Sequence, residues 1–291
     1  MSAATRRNRT ATPSALVLAC AFFAFFPQVN AQDAPQVQSG KLPHALDRAN
    51  VADAIARVKS GQFSGVQVDL IARAQAVKAI PALKEQFTKV QDPLLKEKVA
   101  AALVRLGDQD ESYWDYLLKE AKIALDSQAP SIMTYDSDGK AAGSPSPEFE
   151  AWRRTENRSQ DINAAAEDAN YLFPARVLNL GWSHDRRAIP YLRQGLSSPN
   201  YLIEVAAANG LAELDDENSI PPIISACQKA PKEVAAVMAE ALAYFNNDVA
   251  RKAVDQYVSA DLAKAMRDGI ASGQQTKAMS VPLYDSAPSH P

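Results

Sequence analysis

From about Ala45 onward, apolar residues fall at helical spacing. Leu46, Val51, Ile55 and Val58 share one face before Gly61 stops the run, and a second run spans Val66 to Val77. The clearest pattern lies between Asp185 and Phe245. There an Ile-Pro opens one helix, and an alanine-rich second helix follows and ends in leucine. Ile189-Pro190 recurs as Ile220-Pro221, and Leu211 recurs as Leu242, each at an offset of 31 residues. The same unit reads AIPALKEQFTKVQDPLLKEKVAAALVRLGD from Ala79 to Asp108, with Asp92-Pro93 restarting the chain and Gly107-Asp108 ending it. Proline suits a helix's first turn, where its missing N–H has no partner to lose. Pro81 and Leu103 are 22 residues apart, and Pro190–Leu211 and Pro221–Leu242 are each 21 apart. A fixed period of this length predicts an array of helix pairs, each burying its apolar face against its neighbours.

The second helices are crowded with alanine: Ala100 to Ala102, Ala206 to Ala208, and Ala235, Ala236, Ala239 and Ala241. Small side chains let helices of adjacent units approach, while Leu103, Leu106, Leu211, Leu214 and Leu242 fill the space between layers. Asp110 to Leu125 reads as the first helix of a further unit. Its second helix is delayed to Asp161–Trp182, where Val177-Leu178 and Leu180-Gly181 recover the ending and Pro174 is expected to kink the helix or start a new one. The insertion between them, 126–160, breaks the period and is rich in Pro, Gly and Ser, yet carries Tyr135, Phe149 and Trp152. After Phe245, Asn247-Asp248 caps another helix, and Ser259 to Ile270 supplies the last.

On these residues the chain resembles HEAT-repeat proteins, whose units read as Ile-Pro-x-Leu followed by a Val-Arg-x-x-Ala-Ala-x-Ala-Leu-Gly-x-Ile-Gly-Asp helix. The resemblance is strong over 76–108 and 174–258. It implies an all-α, right-handed α-α superhelix (a HEAT-like solenoid) with one irregular inserted loop. It specifies a fold rather than a chemistry. Where the family often places arginine in the second helix, this chain has Lys96, Glu204 and Ala235, which argues against a regular Asp-Arg ladder.

The N-terminus changes the picture of compartment. Arg6, Arg7 and Arg9 precede an apolar core, Ala15 to Phe26, and Val29-Asn30-Ala31 offers small residues for cleavage, the layout of a secretory signal over 1–31. The apolar run is shorter than the roughly 20 residues a bilayer span needs. Thr5-Arg6-Arg7 is similar to a twin-arginine signal, but Arg9 stands where that motif wants an apolar residue. Apolar residues continue for six positions beyond Cys20, which argues against a lipid-attachment site there. The expected organisation is a signal at 1–31, a disordered lead-in at 32–44, the array at 45–272 and a mobile tail at 273–291. Loss of the three arginines takes the formal charge from −3 to −6. An acidic chain is poor material for phosphate-backbone binding, so nucleic acid is not an expected partner. Cys227 is the one cysteine past the signal, so no intrachain disulfide is expected.

Catalytic signals are sparse. His44, His184 and His290 are far apart, and His-Glu pairs of the kind used by iron-binding HEAT-like enzymes do not occur. Neither a zinc-ligand set, a Gly-rich phosphate loop nor a Gly-x-Ser-x-Gly elbow is present. Asp136-Ser137-Asp138-Gly139-Lys140 begins like a calcium loop, but Pro147 stands where the twelfth-position glutamate belongs. Asn157-Arg158-Ser159 matches a glycosylation acceptor, a pattern too short to decide anything alone. No cofactor or metal is expected.

Two clusters are candidates for binding: Trp152-Arg153-Arg154 with Phe149 and Tyr135, which has the composition of a binding hot spot, and Trp182-Ser183-His184-Asp185-Arg186-Arg187 at a turn between units. For each, the competing structural role is packing of the loop or a solvated corner. Tyr201, Glu204, Lys96 and Glu240 are further polar positions on second helices. The expected function is an exported, non-catalytic scaffold that binds a protein or peptide through the insertion. A lyase-like enzyme, by analogy with the bilin lyases that share the repeat, and a structural envelope component are the alternatives.

Overall fold

Proline, αL residues and short polar caps set where each helix starts and stops. The computed structural model describes residues 48–143, 145–155 and 162–271, all within one folded unit. The expected signal, lead-in and tail, with His44, Asn157 and His290, lie outside these residues. Helices pair in chain order: α1 (Arg48–Ser60) with α2 (Gly65–Arg73), and α3 (Ile80–Lys89) with α4 (Pro93–Arg105). Next, α5 (Ser112–Asp126) leads into the insertion, which holds β1 (Thr134–Tyr135), β2 (Ala141–Gly143) and α6 (Pro147–Thr155). The delayed second helix follows as α7 (Ile162–Glu167), a π turn (Asp168–Leu172) and α8 (Phe173–Trp182). The period then resumes with α9 (Ile189–Gly195) and α10 (Tyr201–Glu213), α11 (Ile220–Lys229) and α12 (Lys232–Leu242), and α13 (Asp248–Tyr257) and α14 (Ala260–Ala271). This is the all-α, HEAT-like solenoid that the period predicts.

The π turn is where the expected kink is absorbed. Pro174 lacks the N–H that would bond four residues back, and its ring crowds that carbonyl. The wider turn removes the conflict, and Phe173 N–H reaches back five residues to the Asp168 carbonyl. Asn200 holds the turn from outside. Its Nδ2 donates to Ala169 O at 2.7 Å while its Oδ1 caps α10 by accepting from Leu202 N at 2.9 Å.

Four of the second helices close in one way. Gln75, Gly107, His184 and Asp215 all have positive φ, and each stands five residues before the opening of the next pair, at Ile80, Ser112, Ile189 and Ile220. Ala76 N–H to Ile71 O, Asp108 N–H to Leu103 O and Asp216 N–H to Leu211 O complete three of these closures. Bridges inside a pair recur too: Lys84 of α3 reaches Asp108, and Arg193 of α9 reaches Asp216, at 3.2 and 2.7 Å. Basic residues missing from the second helices are thus partly replaced from the first helices.

One hydrophobic core runs from Val51 to Met266. Leu180, Leu211 and Leu242 are fully buried at the same register in three successive second helices. The tightest junction is between α8 and α10, where a Cβ placed on Gly181 would lie 2.3 Å from the Gly210 Cα. Backbones touch here because neither residue has a side chain. Among the described residues, no helix is long and apolar enough to cross a membrane.

Candidate functional site

Stacking in register brings equivalent positions of the second helices together. At the last turn that column reads Arg73, Arg105, Trp182, Glu213 and Tyr244. Arg105 donates to Glu213 Oε1 at 2.7 Å and to the Trp182 carbonyl at 3.1 Å. His184 Nε2 bonds the same Glu213 oxygen at 2.9 Å. Lys98, 3% exposed, lies two turns back on the same face of α4, with its ammonium 4.3 Å from the Trp182 ring centre and 3.7 Å from Asp69 Oδ1. Arg105 sits over that ring at 5.2 Å, and Arg73 pairs with Asp69 at 3.0 Å.

This inner cluster links four successive pairs through charge-assisted bonds and cation–π contacts. Burial pushes the Lys98 amine down to about 8 despite the Asp69 charge. Burial also pushes the Glu213 carboxyl up, but the His184 bond and the Arg105 charge outweigh it, and the group sits below its ordinary range. These contacts hold successive second helices in register.

The insertion builds a different kind of site on the edge formed by the turns inside each pair. β1 and β2 pair antiparallel, Thr134 opposite Gly143 and Tyr135 opposite Ala141, so the insertion is more regular than the composition predicts. Its base is pinned from within: Phe149 is fully buried, and Trp152 packs beside it and donates Nε1–H to Ser127 O at 2.9 Å. Its middle is pinned to the turn before α10. Ser131 N–H bonds Pro199 O at 3.1 Å, and Tyr201 N–H bonds Ser131 Oγ at 2.8 Å. Its tip meets the start of α12. Glu233 N–H donates to Gly139 O, the Glu233 carboxylate accepts from Ala141 N–H at 3.2 Å, and a Cβ on Gly139 would lie 2.4 Å from Lys232 N.

Between the hairpin and the turns runs an open cleft of about 660 Å³. Pro130, Pro199 and Pro231 stiffen its walls, and Tyr135 and Tyr201 meet edge to face within it, ring centres 5.5 Å apart. Asp136, Asp138 and Glu148 line it, as do Lys229 and Lys232. Glu204, one turn along α10 from Tyr201, acts electrostatically on both Tyr201 and Lys229, and burial pushes its carboxyl up to about 7. No hydrogen bond or ion pair holds it among the described residues.

The sequence-predicted residues do not converge. Tyr135 lines the cleft; Phe149 and Trp152 are core, and so serve packing rather than contact with a partner in this conformation. Arg153 and Arg154 both turn to Glu150, and only Arg154, 71% exposed, reaches solvent freely. Trp182 is buried in the inner cluster, and His184 is the cluster's partly exposed rim. Lys96 lies over the Phe87 and Tyr116 rings at 4.9 and 5.7 Å. Cys227 is buried, and burial pushes its thiol up to about 12. Asp136 Oδ1 accepts from the N–H groups of Asp138 and Lys140, closing the hairpin turn with its own backbone. Among the described residues, no group of three His, Cys, Asp or Glu side chains could hold a metal ion.

Asp69, Lys98, Arg105 and Glu213 were not singled out by composition or motif. Their signal is positional: Arg73, Arg105, Trp182, Glu213 and Tyr244 occupy one repeat register, visible only when the units are aligned.

Residues 162–243, from α7 through α12, match the family of HEAT repeats. That segment carries HEAT repeats. The match covers the delayed second helix together with the two regular pairs. Neither the curated proteins nor the solved structures gave a match to this chain.

Proposed function

We propose that this protein is an exported, non-catalytic scaffold that binds an extended segment of a partner protein in the cleft between its insertion and the α9–α10 and α11–α12 turns. The observation that carries this is the docking of the insertion. A hairpin tied at base, middle and tip forms one wall of an open cleft whose other wall is rigid repeat structure. A loop held in this way meets a partner without first losing conformational freedom, which is the advantage of a preorganised surface. Lining by prolines, hydroxyls and two tyrosines suits a peptide, offering aromatic area and adaptable hydrogen bonds. The export assignment rests on the charged, apolar and small-residue succession of residues 1–31. The non-catalytic assignment rests on the inner cluster, whose buried ionisable groups are committed to one another.

The test is site-specific photo-crosslinking in the native host. A photoreactive residue at Ser137, in the cleft, is expected to give a discrete protein adduct. One at Lys119 of α5, which does not line the cleft, is expected to give none. Equal adducts from both positions, or an adduct from Lys119 alone, would overturn the proposal.

A further inference from the structure

We infer that the outward edge of β1 is a strand-addition site, where the backbone of the bound segment pairs with Met133 and Tyr135 as a third strand. This rests on the cleft being the partner surface, and it names what is recognised there: extended main chain rather than a particular side chain.

The hairpin's own bonds fix which way β1 points. Ile132 O accepts from Ser146 N–H at 2.7 Å, Asp136 N–H donates to Lys140 O at 2.9 Å, and Thr134 stands opposite Gly143. Residues 132, 134 and 136 therefore turn polar backbone groups inward, and the alternate residues, Met133 and Tyr135, turn theirs outward. The outward N–H and C=O groups of both have no hydrogen-bond partner among the described residues. The Tyr135 ring is taken up by Tyr201 and the core, which leaves its backbone as the open group.

The cleft lies along this edge. Residues 133–139 line it, whereas the β2 residues do not. At either end the array already bonds the main chain of the insertion, Ser131 N–H donating to Pro199 O and Glu233 N–H to Gly139 O. Between those bonds the edge is open. The facing wall offers no rival for a strand: Pro199 and Pro231 have no N–H, and their carbonyls accept from Ser131 and Ala235. Charges of both signs line the cleft, Asp136, Asp138 and Glu148 with Lys229 and Lys232, so sign of charge does not choose the guest. An unpaired strand edge selects for extended backbone instead. Residues 133–137 offer room for about five guest residues, roughly 16 Å of strand. Guest positions that face β1 must not be proline, which has no N–H to give.

The experiment traps the partner through a photoreactive residue at Ser137 in the native host, then follows residue-resolved amide hydrogen exchange in the hairpin, free and trapped. Exchange at Met133 and Tyr135 is expected to slow at least tenfold in the complex, and exchange at Asp136, already bonded across the hairpin, to change less. Met133→Pro removes one outward N–H and no inward one, and is expected to lower the adduct yield at least fivefold in a protein that melts within a few degrees of the parent. Met133→Ala removes the side chain and keeps the N–H, and is expected to leave the yield unchanged. Undiminished yield in a folded Met133→Pro protein, equal loss in both variants, or unprotected Met133 and Tyr135 in the complex would overturn the strand addition. So would slow exchange of both amides in the free chain, which would mean that the chain covers its own edge. Should Met133→Pro fail to fold, the exchange comparison on the parent decides alone. Failure of the cleft as a partner surface looks different, since no adduct would then form through Ser137. An adduct with both amides unprotected would leave that surface standing and remove only the pairing.

Discussion

Two helix pairs show the same unit built in different ways. In α11–α12 a short turn around Pro231 joins the helices, and every anchor falls at the 31-residue period. In the pair of α5 with α7–α8, the insertion intervenes and the second helix carries a π turn, yet Leu180 and Trp182 arrive in register with Leu242 and Tyr244. Stacking against neighbours therefore fixes a second helix more strongly than the length of the connection before it. A long connection adds only a slowly growing entropic cost, which the buried Phe149 and Trp152 offset. What the insertion adds in exchange is an edge that the regular pair lacks.

The largest effect should come from removing the insertion's own anchors. Phe149→Ala and Trp152→Ala are each expected to cost about 3–5 kcal/mol in urea unfolding, as for deletion of a fully buried aromatic. Near-neutral values would mean that the insertion folds apart from the array. Next comes the register itself. Gly181→Ala should cost about 1–3 kcal/mol even though alanine is the better helix former, because α8 and α10 must separate to admit the methyl group. A stabilised variant would show that the junction is looser than the contact implies.

A smaller effect concerns Glu240 in the regular pair, whose carboxyl is pushed up to about 7 by burial alone. A carboxyl raised in the folded state binds its proton more tightly there than in the unfolded chain. Its contribution to stability is therefore full below pH 4.5 and is lost as pH rises through 7. Glu240→Gln should gain on the order of 1 kcal/mol over the parent at pH 8, with little difference at pH 4. Glu97 and Glu204 carry the same sign and remain in both proteins, so the comparison isolates one group. Unfolding midpoints at the two pH values decide it. The smallest change is expected from Arg154→Ala, within about 0.5 kcal/mol, since its side chain is mostly in solvent.

Much of the fold was legible because it is carried by spacing. Ile-Pro openings, alanine-rich second helices and the delayed Asp161–Trp182 segment each follow from local chemistry that repeats. The αL closures were legible only at Gly107, since Gln75, His184 and Asp215 adopt the same backbone without announcing it. The candidate site was less legible. Aromatic content pointed to Phe149, Trp152 and Trp182, but an aromatic ring serves a core as well as a surface, and only packing separates the two roles. Tyr135 was placed in the right segment, whereas its contact with Tyr201 depends on the hairpin crossing to a turn some 66 positions along the chain. Inner-cluster partners such as Arg105 and Glu213, separated by 108 residues, meet through stacking of repeats, which no local pattern encodes.

Gly139→Val offers the most direct test that the docked hairpin carries recognition. A branched side chain there collides with the Lys232 backbone and is strained at a φ of +73°, so it lifts the hairpin tip without touching Phe149, Trp152 or the repeat core. The melting temperature should fall by only a few degrees, while recovery of the protein crosslinked through Ser137 should be lost. Retention of that partner by a folded Gly139→Val protein would contradict the assignment of recognition to the cleft.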